Sequence, residues 1–205
     1  MNEKEAKKNN NPSKILSMKR SSDNNLNTLT YRINLFQVNM VNPSSMLDIG
    51  SQEGQFANMV YETIGVKDIS CIDLASTVVE SGEKRFPTFK WYSGDVITFD
   101  FPEKYDMVTW LNGCFSFEKE ERKLVMERIS SYLNDNGYLL ISYGDVNFEV
   151  RGMSLEDVID EIKDFFDVIN VIKEFEYYPM LCDTDFKGHK TFGRWYTSIL
   201  CRVKE

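Results

Sequence analysis

Asp48, Asp73 and Asp95 lie at the ends of three successive short apolar runs, Met46–Ile49, Ile69–Ile72 and Phe89–Tyr92. A carboxylate that ends a strand can accept both hydroxyls of a ribose, and Asp73 is placed to do so. Asp95 can accept from an exocyclic amine while the neighbouring Val96 amide donates to a ring nitrogen. The turn after the first run, Gly50-Ser51-Gln52-Glu53-Gly54, has glycines at both ends. They leave room for a ligand against bare backbone and let the turn close into a helix. Each feature alone is common. Three carboxylates in step with three strand ends point to a nucleoside.

The turn narrows the choice of nucleoside. Pyrophosphate sites set a G-x-G-x-x-G turn at the positive end of a helix. This chain has G-x-x-x-G, with Asp48 two residues before it and Glu53 within it. Two carboxylates there would repel a pyrophosphate. They suit a ligand with ribose, adenine and a positive centre but no phosphate, and S-adenosylmethionine, with its sulfonium and ammonium groups, meets that description.

The elements that must position these residues alternate along the chain. Residues 1–22 hold six basic side chains against two acids, a run of asparagines and little that could be buried, and read as a mobile polar arm. Residues 23–44 form a helix or lid: Leu26, Leu29, Ile33, Phe36 and Met40 recur at helical spacing and predict one apolar face, ended by Asn42-Pro43. Residues 45–205 then read strand, helix, strand, helix. The helix after the fourth strand shows Leu124, Val125, Ile129, Tyr132 and Leu133 as its apolar face and a stop at Asn134-Asp135-Asn136-Gly137. Tyr138–Tyr143 is nearly all apolar, as a central strand is. Ser154-x-x-Asp157 signals a further helix start. Val168–Tyr178 and Trp195–Val203 have no helix between them and predict an antiparallel hairpin at one edge. The fold class is α/β: a Rossmann-like, seven-stranded, mostly parallel sheet with helices on both faces.

On these residues the chain resembles the class I S-adenosylmethionine-dependent methyltransferases. Met46-Leu47-Asp48-Ile49-Gly50-Ser51-Gln52-Glu53-Gly54 is similar to the family's first motif, hydrophobic-L-D-x-G-x-G-x-G. Ile72-Asp73-Leu74 resembles its ribose-binding acid, and Ser93-Gly94-Asp95-Val96 its adenine-binding stretch. Tyr105 to Asn112 resembles the fourth-strand motif, whose end, here Leu111 and Asn112, passes the methionine portion of the cofactor. The resemblance implies S-adenosyl-L-methionine as cofactor, with Asp48, Gly50, Gln52, Gly54, Asp73, Leu74, Asp95, Val96, Leu111 and Asn112 around it. Gln52 departs from the pattern, since it replaces the middle glycine. A side chain there either bonds the methionine carboxylate or fills the crevice, and the second outcome would leave a catalytically inactive binding or regulatory protein.

Methyl transfer is an in-line displacement, and a base is needed only for a poorly acidic hydroxyl or a protonated amine. Two candidates stand beyond strand ends on the cofactor side: Asp145, and His189 in the long connection Pro179–Arg194. Tyr31 and Phe115 are candidate acceptor contacts. Cys114 is read as inert.

Composition limits the partners. The formal net charge is −8, and the basic arm leaves the rest of the chain more acidic still, which argues against a nucleic-acid partner. No Asn-Pro-Pro-Tyr-type motif follows the fourth strand. No apolar run is long enough to span a bilayer, and four scattered cysteines form neither a metal pattern nor a disulfide framework. The expectation is a cytoplasmic enzyme, without a metal, that methylates a small molecule, at oxygen slightly ahead of nitrogen.

Overall fold

The computed structural model describes residues 29–113, 117–144, 154–178 and 192–204. Among these residues five helices, α1 (Leu29–Val41), α2 (Gln55–Thr63), α3 (Ser76–Arg85), α4 (Lys119–Tyr132) and α5 (Leu155–Ile162), accompany seven strands. The strands are β1 (Ser45–Ile49), β2 (Asp68–Asp73), β3 (Lys90–Ser93), β4 (Tyr105–Leu111), β5 (Leu133–Gly144), β6 (Phe166–Tyr178) and β7 (Phe192–Val203). They form one sheet in the order β3-β2-β1-β4-β5-β7-β6. The first five are parallel, and β7 runs antiparallel between β5 and β6. The alternating sheet and its antiparallel edge are as the sequence predicts.

Two apolar clusters cover the two faces. One joins Leu47, Ile49, Ile72, Val108, Trp110 and Ile141 to the inner sides of α4 and α5. The other joins Met46, Cys71, Met107, Leu140 and Leu200 to Val38 of α1 and Phe56, Ala57 and Val60 of α2. Tyr105 and Met107, two residues apart, fall in different clusters, and the β4–β5 register shifts between them. Arg122 of α4 grips Glu161 of α5 through two hydrogen bonds (2.8 and 2.7 Å) and holds the Phe117 carbonyl at 2.9 Å. Ser154 and Asp157 cap α5 reciprocally, as their spacing predicts.

Two expectations about helix faces need correction. In α1, Ile33 is buried, but Phe36 and Met40 are 56% and 52% exposed. The face against the sheet is Asn34, Gln37 and Val38, all fully buried. The surface beneath is itself polar: Asn34 reaches Ser142 Oγ (3.3 Å) on β5, and Gln37 donates to Ser198 Oγ (2.5 Å) on β7. Apolar spacing cannot show that the opposing surface carries hydroxyls. In α4, Met126 is buried and Leu124, expected on the apolar face, is 43% exposed. That helix ends at Tyr132; Leu133 is already extended and pairs with Tyr105. The Asn-Asp-Asn-Gly segment therefore belongs to the irregular start of β5, where Asn136 takes φ 62°.

Trp91 on β3 is wedged between two glycines. A Cβ on Gly82 of α3 would stand 2.2 Å from its ring and one on Gly54 2.8 Å, while its indole nitrogen donates to the Phe86 carbonyl at 3.1 Å. Gly82→Ala should therefore destabilise the protein by about 2 kcal/mol through overpacking, even though alanine is the better helix former. In a Trp91→Leu background the same change should be neutral or stabilising, as read by urea unfolding of the four variants.

Candidate functional site

The carboxyl ends of β1, β2 and β3 are fastened to one another through the end of β2. The Gly50 and Ser51 amides donate to the Ile72 carbonyl at 2.9 and 3.2 Å, and Gly94 donates to the Asp73 carbonyl at 3.1 Å. The Asp73 carboxylate accepts from Gln52 N at 3.1 Å and from Ala75 N at 3.0 Å. It therefore ties the turn after β1 to the turn after β2. Each carboxylate oxygen has lone pairs beyond the one these amides use, which is what a pair of vicinal hydroxyls requires. Desolvation raises its pKa, and the Ala75, Gln52 and Leu74 amides oppose that rise.

The glycine turn has the shape its sequence suggests. Gly50 takes φ 66°, and a Cβ at this position would meet nothing within 4 Å, so the backbone here faces open space. Gly54 takes φ 80° and caps α2, closing against Trp91. Gln52 sits at φ 52° in the left-handed region, where glycine is at ease and other residues are strained by about 1 kcal/mol. Its side chain is exposed. Glu53 differs from the expectation that it faces the ligand. It is 7% exposed and turned into the body, accepting from Ser81 at 2.9 Å with Arg85 at 3.6 Å, so its charge is matched by α3 and does not repel a ligand at the turn.

Asp48 is 3% exposed, between its strand partners Cys71 on β2 and Thr109 on β4. Thr109 donates to its carboxylate at 2.6 Å. Burial pushes this carboxyl from 3.8 up to about 7, with the Thr109 bond opposing the rise and Asp73 adding to it. Next to it, burial holds the Cys71 thiol well above its usual range, and the charge of Asp48 adds to this. Thr109 has no role assigned from sequence, because only strand register reveals that its hydroxyl faces Asp48.

At the tip of β3, Asp95 Oδ1 accepts from Ile97 N at 2.9 Å. Val96 is buried, and its carbonyl accepts the Tyr132 hydroxyl at 2.7 Å, so α4 fixes the start of this segment. Leu74 is half-buried between Asp73 and α3. At the tip of β4, Leu111 packs partly into the core and Asn112 takes φ 58°, its amide donating to the Ser142 carbonyl at 2.7 Å. Tyr31 stacks on Phe56 at 5.8 Å and 18°, so its ring packs α1 against the first turn of α2. Asp145, His189, Phe115 and Cys114 lie outside the described residues. Among the described residues no cluster of histidine, cysteine or carboxylates could hold a metal ion, and no helix is long and apolar enough to cross a membrane.

Residues 46–137 match a family described as a methyltransferase domain. None of the curated proteins matches the chain. Solved structures share the fold at low identity. A TehB-like SAM-dependent methyltransferase from Corynebacterium glutamicum is 16% identical with a TM-score of 0.69, over 95% of this chain and 100% of that one. The N-methyltransferase NodS from Bradyrhizobium japonicum, in complex with S-adenosyl-L-homocysteine, is 14% identical with a TM-score of 0.63, over 91% and 98%. A putative sarcosine dimethylglycine methyltransferase from Galdieria sulphuraria is 13% identical with a TM-score of 0.65, over 84% of each chain.

The Asp48 carboxyl gives the site a measurable signature. Folding favours its protonated form, so between about pH 4 and 7 the folded chain holds a proton that the unfolded chain has released. Stability therefore falls as pH rises through that window, and the Asp73 shift acts in the same direction. Asp48→Asn, which stays neutral, should show a shallower fall in melting temperature between about pH 4.5 and 7.5. The difference should approach about 4 kcal/mol at its upper limit. Parallel pH profiles for the two proteins would show that Asp48 ionises freely.

Proposed function

We propose that this chain, whose residues 46–137 match a methyltransferase domain and whose fold is shared with SAM-dependent methyltransferases, is a class I S-adenosylmethionine-dependent methyltransferase that transfers a methyl group to a small-molecule acceptor. The observation that carries the reading is the Asp73 carboxylate, held by the amides of two turns at the carboxyl end of the sheet beside an open glycine backbone. The crevice fits the cofactor in its chemistry as well: with Glu53 turned into the body, the buried Asp48 is the carboxyl beside the turn, and its ionisation is favoured by a cation and opposed by a phosphate. S-adenosylmethionine, when bound, supplies a methyl group already activated by the positive sulfur.

The chain's own residues would then divide the work. Asp73 accepts the ribose hydroxyls, with Leu74 beside it. Asp95 accepts from the adenine amine, and the Val96 amide donates to the ring. Gly50, Gln52 and Gly54 line the turn under the ligand, and Asp48 sets a carboxyl beneath it that is readily ionised by a nearby cation. Leu111 and Asn112 meet the methionine end. Tyr31, whose ring packs on Phe56, and Phe115 are the contacts proposed for the acceptor, with α1 as its cover. Asp145 and His189 are the two bases available to a hydroxyl acceptor, which is placed ahead of an amine. An amine that arrives neutral needs neither.

Calorimetry should show S-adenosylmethionine and S-adenosylhomocysteine binding in the micromolar range and NAD not at all. Asp73→Ala should weaken both by about 100-fold, the loss of two hydrogen bonds to a charged acceptor. With metabolite pools as acceptor, the wild type should convert the donor to S-adenosylhomocysteine. If the acceptor is a hydroxyl, Asp145→Asn or His189→Ala should slow that conversion. Tight NAD binding, or full affinity in Asp73→Ala, would overturn the assignment.

A further inference from the structure

Beneath α1 lies a set of polar side chains that no step of methyl transfer uses. Asn34 Nδ2 reaches Ser142 Oγ at 3.3 Å and the Tyr196 hydroxyl at 3.4 Å, and its Oδ1 accepts from Ser198 Oγ at 2.6 Å. Ser142 Oγ and the Tyr196 hydroxyl are 2.5 Å apart. Gln37 donates to Ser198 Oγ at 2.5 Å and accepts from Asn170 of β6 at 3.3 Å. Asn34, Gln37, Ser142 and Ser198 are fully buried and Tyr196 is 1% exposed. Buried polar groups of this kind fix geometry sharply, because a small displacement leaves donors and acceptors unmatched in a dry environment. What they fix here is the strand tip. Ser142 is the partner of Leu111, and its carbonyl accepts the Asn112 amide at 2.7 Å, holding a non-glycine residue in the left-handed conformation.

We propose that Asn34 and Tyr196 are positioning residues for the amino-acid end of the cofactor, acting through Ser142 on Asn112. The inference rests on the placement of Asn112 proposed above. It gives α1 a role besides cover: the helix fixes the height of the β4 tip, and so where the methionine portion can lie relative to the ribose held by Asp73. The adenosine half of the ligand is held by the ends of β2 and β3, which the cluster does not touch, so disturbing the cluster should affect one end of the ligand alone.

Two ligands separate the ends. S-adenosylhomocysteine carries the amino-acid portion, and 5′-methylthioadenosine lacks it. By calorimetry on the full chain, Tyr196→Phe and Asn34→Ala should each weaken S-adenosylhomocysteine about tenfold and change 5′-methylthioadenosine less than twofold. Tyr196→Phe keeps the ring and its packing, so the test stands even if Asn34→Ala fails to fold. Equal losses for both ligands would make the cluster merely structural, and unchanged binding of both would remove any link to the site; either result overturns the proposal. Asn112→Val, a β-branched residue that cannot comfortably hold φ 58°, checks the premise. If it discriminates between the ligands while Tyr196→Phe does not, the cluster's role fails alone. If Asn112→Val affects neither ligand, the placement of Asn112 is wrong and the inference falls with it.

Discussion

The end of β2 is the point on which the crevice depends. Its last two residues accept backbone donors from three neighbouring turns: Gly50 and Ser51 on the Ile72 carbonyl, Gly94 on the Asp73 carbonyl, and Gln52 and Ala75 on the Asp73 carboxylate. Turn amides that would otherwise need water are satisfied there, so the geometry of the turns is set by one residue pair. The same carboxylate has lone pairs beyond those the amides use. An acid therefore has a structural role at this position before any ligand arrives, and the proposed function adds recognition to the same side chain.

Asp48 illustrates the opposite arrangement. It has a single strong donor, the Thr109 hydroxyl, and is almost entirely dry, so its charged form is disfavoured where that of Asp73 is better supported. Two carboxyls on adjacent strands therefore differ in readiness to ionise, by environment rather than by type. A nearby cation would relieve the penalty on Asp48, whereas a second anion would add to it. On the proposed reading Asp48 takes over the discrimination between sulfonium and phosphate that the sequence pattern suggests for Glu53, whose charge is instead answered by Ser81 and Arg85.

Much of this is legible in the sequence, and the reasons are physical. Strand ends and glycine turns are local: Met46–Gly50 and Ile69–Asp73 fix their own conformations, and the parallel order follows from alternation with helices. Ser154 and Asp157 mark a helix start that needs no tertiary help. What is not legible depends on the partner surface. Thr109 becomes part of the site only through the β1–β4 register. Trp91 constrains Gly54 and Gly82 from a third element. The buried face of α1 is set by hydroxyls on β5 and β7, more than a hundred residues away, and no periodicity in residues 29–41 encodes them.

The docking of α1 also shows how magnitudes separate stability from position. Burying Phe36 and Met40 would each be worth about 1.5–3 kcal/mol, whereas a satisfied amide–hydroxyl bond nets only about 1 kcal/mol. A helix selected for stability alone would have presented its apolar stripe inward, as its spacing suggests. The observed face gains less when it docks correctly but loses about 1–3 kcal/mol for every donor or acceptor left unmatched when it does not. Apolar contacts tolerate a shift of half a turn better than hydrogen bonds do. An interface of Asn34, Gln37, Ser142, Tyr196 and Ser198 therefore admits one register and penalises its neighbours. The strand tip that adjoins this single register is Leu111–Asn112, so whatever fixes the helix also fixes that tip.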